Sequence, residues 1–548
     1  MHRLSIILMA FLLVCCSKKD SGPTPKSFDF NSHNVNGESD ASFTYKGVSI
    51  LPHITFTFTD RIKEASIAQG VKFTEGTSVA VPFTSSLEDD NTTVVIVPAD
   101  PLKGFTQYKL SLNDGLVSES DKPLSLPVTV TINTGMDSTD KFPQISDDDL
   151  LTLVQRQTFK YFWDFAHPVS GLARERNTSG DIVTSGGSGF GIMAILAAIN
   201  RQFITRDEGL ERMKKIVSFL KNTAETFHGA YPHWLDGATG EAIAFSQYDD
   251  GADLVETSYL MQGLITARQF FNGGGTEVTL RDDINAIWNG VEWDWFRNGN
   301  QEVLFWHWSP NYNWQMNFPI HGWNECLITY VLAASSVNHS IPKTVYDKGW
   351  AQNGNIKNNG IYYDVQLPLG PPNGGPLFFA HYSFLGINPF NLVDAYANYW
   401  TQNVAHTMIN YNYCVSNPNQ NVGYSESVWG LTASDNQDGY SAHSPDNDLG
   451  VISPTAAISS LPYTPTESMR ALKFFYYKLG DKIWKEYGFV DAFNLNEPWF
   501  ANSFLAIDQG PMIIMIENYR SGMLWNLFMS APEVQTGLTA LGFTSPGF

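Results

Sequence analysis

At 548 residues, 43% of them hydrophobic, the chain is long enough for two or three domains with a large core. A formal net charge of −21 excludes nucleic acid, whose phosphates require Lys and Arg for neutralisation, and argues against uronate-type polyanions. Aromatic residues make up 14% of the chain, with 15 Trp and 23 Tyr, which is more than a core requires. Their flat apolar faces match the C–H face of a sugar ring, so a neutral glycan fits the composition best.

The first segment is a short basic start, Met1–Arg3, followed by an apolar run from Leu4 to Val14 that is too short to span a bilayer. Leu13-Val14-Cys15-Cys16 has the form of a bacterial lipobox. The expectation is a signal peptide over 1–15, a lipidated Cys16, a polar tether over 16–26 and a lipid anchor as the only membrane contact. Ser17 occupies the position where an Asp would retain the protein in the inner membrane, which favours the outer membrane. Cys326 and Cys414 remain in the mature chain and are expected as two buried thiols.

From 27 to 134, short alternating runs such as His53–Phe58 and Val128–Ile132 are separated by Asn, Asp, Gly and Pro. This pattern predicts an immunoglobulin-like β-sandwich, and with no acid pair or His cluster in it a spacer or packing role is expected rather than a binding one. Residues 135–146 read as a linker by composition. From 147 to 548 the period changes to about 3.6. Helices are predicted at 147–165, 189–203, 205–226, 251–272, 277–296, 322–338, 342–350, 391–415, 453–461, 465–479, 499–507, 510–521 and 522–530. With no fixed-period repeat, this series predicts an all-α (α/α)6 toroid with the chemistry in its loops.

Glycoside hydrolysis without a cofactor needs two carboxyl groups, one to protonate the leaving oxygen and one to activate water or attack. Three loops offer them. In Ser246–Thr257, a helix starting near Asp250 would place Asp249 and Asp253 on one face, where mutual repulsion raises one pKa. A helix-end role explains Asp249 nearly as well. The Trp306–Glu325 loop supplies Trp306, Trp308, Trp314 and Trp323 as stacking surfaces, with His307, His321 and Asn324 as donors. Glu325 falls in the first turn of the following helix. The Tyr424–Asp448 loop adds Glu426 and Trp429, and its acids fit no EF-hand register because Pro445 occupies the twelfth position. Arg174, Tyr248, His381 and Tyr382 complete the predicted lining. No Walker, HExxH or CxxC pattern occurs, so neither cofactor nor metal is expected.

Six segments in order carry a family resemblance: RERN at 174–177, TSGGSGFG at 184–191, YDDGADLVET at 248–257, HGWNE at 321–325, FAHYSFLG at 379–386 and SESVWGLTASD at 425–435. Residues 147–542 resemble the bacterial glucoamylase-like (α/α)6 proteins of glycoside hydrolase family 144, the β-1,2-glucanases. The resemblance implies metal-free, inverting hydrolysis of β-1,2-glucan or its oligosaccharides, with the essential acids at Asp249, Asp253 and Glu325. The expected roles are Glu325 as proton donor, Asp253 as base and Asp249 as its tuning neighbour, in a monomer. A polysaccharide lyase on the same toroid and a non-catalytic glycan-binding lipoprotein are the alternatives.

Overall fold

The computed structural model describes residues 27–546, so Cys16 and the tether lie outside the described residues. The chain divides into two compact units, one ending at Ser138 and the other starting at Thr139.

The first unit is a two-sheet sandwich. One sheet has the order β1 (Phe30–Val35), β3 (Ile54–Phe58), β7 (Thr93–Pro98), β6 (Phe83–Glu88). The other runs β2 (Thr44–Val48), β9 (Val128–Thr134), β8 (Gln107–Leu112), β4 (Val71–Glu75), β5 (Val79–Ala80). Alternation decides which face is buried: Ile54, Phe56 and Phe58 point inward while Thr55 and Thr57 remain partly exposed. Leu110, Val130 and Ile132 meet them in one continuous core.

The second unit is the helical toroid. Its helices form two classes that burial separates. Nearly every residue of α2 (Ser185–Asn200), α4 (Leu254–Phe270), α6 (Leu327–Ser335) and α9 (Ala506–Ser521) is buried, as inner helices require. The amphipathic α1 (Asp147–Trp163), α3 (Arg206–Asn222), α5 (Thr276–Asn289) and α8 (Pro465–Ile483) bury one face only. Capping fixes several starts. Ser146 accepts from the Asp149 amide at α1, and Thr205 and Glu208 form a reciprocal capping box at α3. Further helices include α7 (Tyr399–Ser416), α10 (Met523–Met529) and α11 (Pro532–Leu541), with short helical pieces at Lys343–Val345 and Pro454–Ile458.

Several boundaries differ from the sequence reading. The Gly-rich segment before 189 is not a turn but the start of α2, and its glycines serve packing. A Cβ on Gly189 would lie 2.1 Å from the Tyr259 carbonyl oxygen, and one on Gly263 would lie 2.3 Å from that of Gly189. Only Gly lets α2 and α4 approach this closely. The helix expected at 499–507 is a short strand, Trp499–Phe500, paired with Phe493–Asn494, and the helix begins at Ala506. The helix expected from 322 starts at Leu327, which leaves Glu325 in the turn before it. Cys326 and Cys414 are buried free thiols.

Candidate active site

The toroid encloses a cavity of about 350 Å³. Its wall is largely aromatic, with Trp234, Phe245, Trp306 and Tyr382 among its rings. Three carboxyl groups, Glu175, Glu256 and Glu325, line it together with His233 and Arg176. Glu256 lies in the first turn of α4. Its Oε2 accepts from the Gly186 amide at 2.8 Å and from Thr184 Oγ1 at 3.1 Å. Gly186 is required at this contact, because a Cβ there would stand 2.5 Å from the same oxygen. Burial raises the pKa of Glu256 despite these donors. Glu325 is held by its backbone: its carbonyl accepts from Ser383 Oγ and from Tyr259 Oη. Burial, reinforced by the charges of Glu256 and Asp253, pushes the Glu325 carboxyl up to about 7.

His233 leads from the cavity wall into a cluster of two acids and two imidazoles, whose other members are Asp249, Asp253 and His307. Asp253 is the N-cap of α4, its Oδ1 accepting from the amides of Val255 and Glu256 at 3.0 and 2.9 Å. Its Oδ2 lies 3.0 Å from His233 Nδ1 and 3.6 Å from His307 Nε2. The short pairing of Ala252–Asp253 with His307–Trp308 brings these groups together. Asp249 Oδ2 is 3.3 Å from His307 Nε2 and 4.0 Å from His233 Nδ1. Burial opposes ionisation of Asp253, but hydrogen bonds from His233 and His307 outweigh it and hold the carboxylate charged. Asp249, lacking amide donors, is raised to about 7 by burial and by Asp253. His233 is raised to about 9, since the surrounding charge, led by Glu256, exceeds its desolvation.

The helical unit is shared with known proteins. The Glycoamylase family model, described as a glucoamylase, matches residues 317–532, and a bacterial Ig-like domain model matches 39–134. An endo-β-1,2-glucanase from Chitinophaga pinensis is 53% identical over 74% of this chain and 100% of its own, with a TM-score of 0.73. The chain belongs to glycoside hydrolase family 144. A β-1,2-glucanase structure from Parabacteroides distasonis is 37% identical over 94% of this chain and 73% of its own, with a TM-score of 0.71. An exo β-1,2-glucooligosaccharide sophorohydrolase of the same organism is 44% identical over 455 residues. That alignment covers 79% of this chain, which spans 61% of the length of that curated relative.

In this family 144 chain the predicted site residues separate into two groups. Glu325, Trp306 and Tyr382 line the cavity, with Asp249, Asp253 and His307 just behind its wall. The helix starts at Leu254 rather than near Asp250, so Asp249 and Asp253 meet through an extended segment and not on a helix face. The helix-end role considered for Asp249 therefore belongs to Asp253.

Other predicted residues lie elsewhere. Trp429 is fully buried and donates to the Glu467 carbonyl, and Trp323 is closed against Phe384 and Tyr399. Neither offers a face to a sugar. Trp308 and Trp314 pack around Trp295. His381 is buried against Ser460 and Tyr463, and desolvation lowers it to about 3. His321 bonds the Gly349 carbonyl, Asn324 folds back on its own loop, and Glu426 pairs with Arg470 on the surface. Tyr248 meets Tyr312 and Gln315. Arg174 lies over Phe165, and its neighbour two residues on, Arg176, reaches the cavity instead.

Sequence reading missed His233, Trp234, Phe245 and Arg176 as lining residues, and left Glu256 out of the site. The adjacent His233-Trp234 pair is a local signal that pointed there, as are the RERN and YDDGADLVET segments that contain Arg176 and Glu256. His233, Asp249 and Asp253 present ligand atoms within 4.8 Å of one another, a set able to hold a divalent cation that no linear motif reveals.

Proposed function

We propose that the helical unit hydrolyses linear β-1,2-glucan or its oligosaccharides with inversion at the anomeric carbon. The observation that carries this reading is the position of Glu325. Its carboxyl stands in an aromatic-lined cavity with a pKa near 7, so much of it is protonated at neutral pH. That is the state needed to protonate a departing glycosidic oxygen. The named activities of the relatives, β-1,2-glucanase and sophorohydrolase, supply the linkage.

Water activation requires a second carboxyl that reaches the substrate. Asp253 is fully buried, and its oxygens are engaged by two amides and two imidazoles. Glu256, one turn later, shares the cavity with Glu325. We therefore assign the base to Glu256, with Asp253 and Asp249 setting its charge through His233. This moves the base from the residue favoured by sequence alone. The lyase alternative needs a free cation for a uronate, whereas Arg176 is already paired with Glu175 and Asp435.

The test is hydrolysis of β-1,2-glucan by Glu325→Gln, Glu256→Gln and Asp253→Asn, with the first-formed anomer followed by NMR. Loss of roughly 10³-fold or more in kcat is expected for each glutamate variant. An active Glu256→Gln beside an inactive Asp253→Asn returns the base to Asp253, and an unchanged Glu325→Gln removes the hydrolase reading.

We further propose that the protein is an exported lipoprotein, anchored at the outer membrane through Cys16, and that it acts as a monomer. The lipobox pattern supports the anchor. Mass spectrometry of the mature N-terminus and a Cys16→Ala variant that partitions into the aqueous phase test it, and size-exclusion chromatography tests the monomer.

A further inference from the structure

A second cavity of about 520 Å³ adjoins the first. Arg176 and Tyr440 line both and belong to the wall that the two cavities share. The far side is built from Asn436, Trp499, Asn502 and Ser503. Its arrangement differs from that of an incidental surface hollow. The Arg176 guanidinium is fixed by Glu175 on one side and by both Asp435 oxygens, at 3.1 and 3.2 Å, on the other. Asp435 is fixed in turn by Ser503 Oγ, and its amide donates to Asp491 at 2.7 Å.

Trp499 is the unusual member. It lies half-buried on the short strand Trp499–Phe500, and its indole has no ring contact or hydrogen-bond partner among the described residues. The other half-buried tryptophans near the site, Trp234, Trp306, Trp308 and Trp314, each pack on another ring. An indole face left unstacked among amides and hydroxyls is the chemistry that receives a sugar ring, with apolar contact on the face and hydrogen bonds at the rim.

We infer that the second cavity is an additional glucosyl-binding subsite, with Trp499 as its stacking platform, for the part of a glucan chain that extends past the Arg176–Tyr440 wall. The occupant follows from continuity. A chain seated against Glu325 reaches the wall, and the first cavity is near the small end of ligand sites, which run from about 300 to 1,000 Å³. This inference rests on the proposed glucan hydrolysis and adds a determinant of chain length to it.

The experiment compares wild type, Trp499→Ala and Trp499→Phe on long β-1,2-glucan and on the shortest oligosaccharide that is cleaved. The expected result for Trp499→Ala is a KM for the long chain raised about 10-fold, with kcat within about twofold, consistent with loss of one stacking contact. The rise for the short substrate is smaller, and Trp499→Phe recovers most of the loss. Calorimetry of long glucan binding to Glu325→Gln, with and without Trp499→Ala, shows the same loss without turnover. Equal effects at every chain length, or no effect, overturn the subsite. A wild type inactive on all β-1,2-glucans overturns the proposed function itself, an outcome distinct from either.

Discussion

Glu325, the proposed proton donor, serves activity at a cost in stability. Its carboxyl has an ordinary value of 4.5 and is raised to about 7 in the fold. Below pH 4.5 the folded and unfolded chains both hold the proton. Between 4.5 and 7 only the folded chain does, so stability falls as pH rises through this window. Glu325→Gln removes that burden, and thermal or urea unfolding should show a gain of about 1–3 kcal/mol at pH 8 that vanishes at pH 4. Activity should decline as pH rises through about 7, where the donor loses its proton, and the alkaline limb of kcat/KM reports it. Asp253 behaves differently, because it caps α4 and holds two imidazoles at once. Asp253→Ala should cost about 3–5 kcal/mol in unfolding experiments, since it leaves buried partners unpaired. Asp253→Asn keeps the cap oxygen and should cost less.

The contact between α2 and α4 sets where Glu256 and the Gly186 amide meet. Both sides of that contact are backbone at Gly189 and Gly263, so there is no flexible side chain to yield. Gly189→Ala should therefore destabilise by about 3 kcal/mol or more, at the upper end of overpacking costs, and lower activity with it. Gly274→Ala, where a Cβ meets nothing within 4 Å, is the matched control and should change the denaturation midpoint little. The pairing of Ala252–Asp253 with His307–Trp308 plays the corresponding role for the acid–imidazole cluster. Two residues of ladder bring Asp253 within reach of His307 across more than fifty positions of chain.

For the whole molecule, every residue of the proposed site belongs to the unit that begins at Thr139. A chain beginning near Thr139 should retain hydrolysis within about twofold of the full chain per mole, measured on β-1,2-glucan, because the whole lining of the site is built from that unit. The His233, Asp249 and Asp253 set adds a second test. The contacts of 3.0 and 3.3 Å are those of imidazoles hydrogen-bonded to carboxylates. Chelation with EDTA followed by dialysis should leave activity unchanged, and loss reversed by added Zn²⁺ would assign the cluster to a metal.

The sequence by itself determined the architecture and pointed to several of the candidate acids. Alternation with period two marked the sandwich strands, and period 3.6 marked the helices. The setting of Glu325 after an aromatic loop marked one candidate acid, which lines the cavity. These features are local and are written along a single stretch of chain. What the tertiary structure decided is which side chains face the cavity. Trp323 read as a stacking surface and Trp429 as part of a substrate-binding loop because aromatic loops suggest exposure, yet helix packing closes both inside. Glu256 carries no local mark that separates it from other acids of a helix turn, and only the approach of α2 fixes its carboxyl in the cavity that Glu325 lines. His233 and His307 joined Asp249 and Asp253 from separate segments, a meeting that no spacing encodes. Linear patterns specify the faces of single elements, whereas cavity lining depends on contacts between elements far apart in the chain.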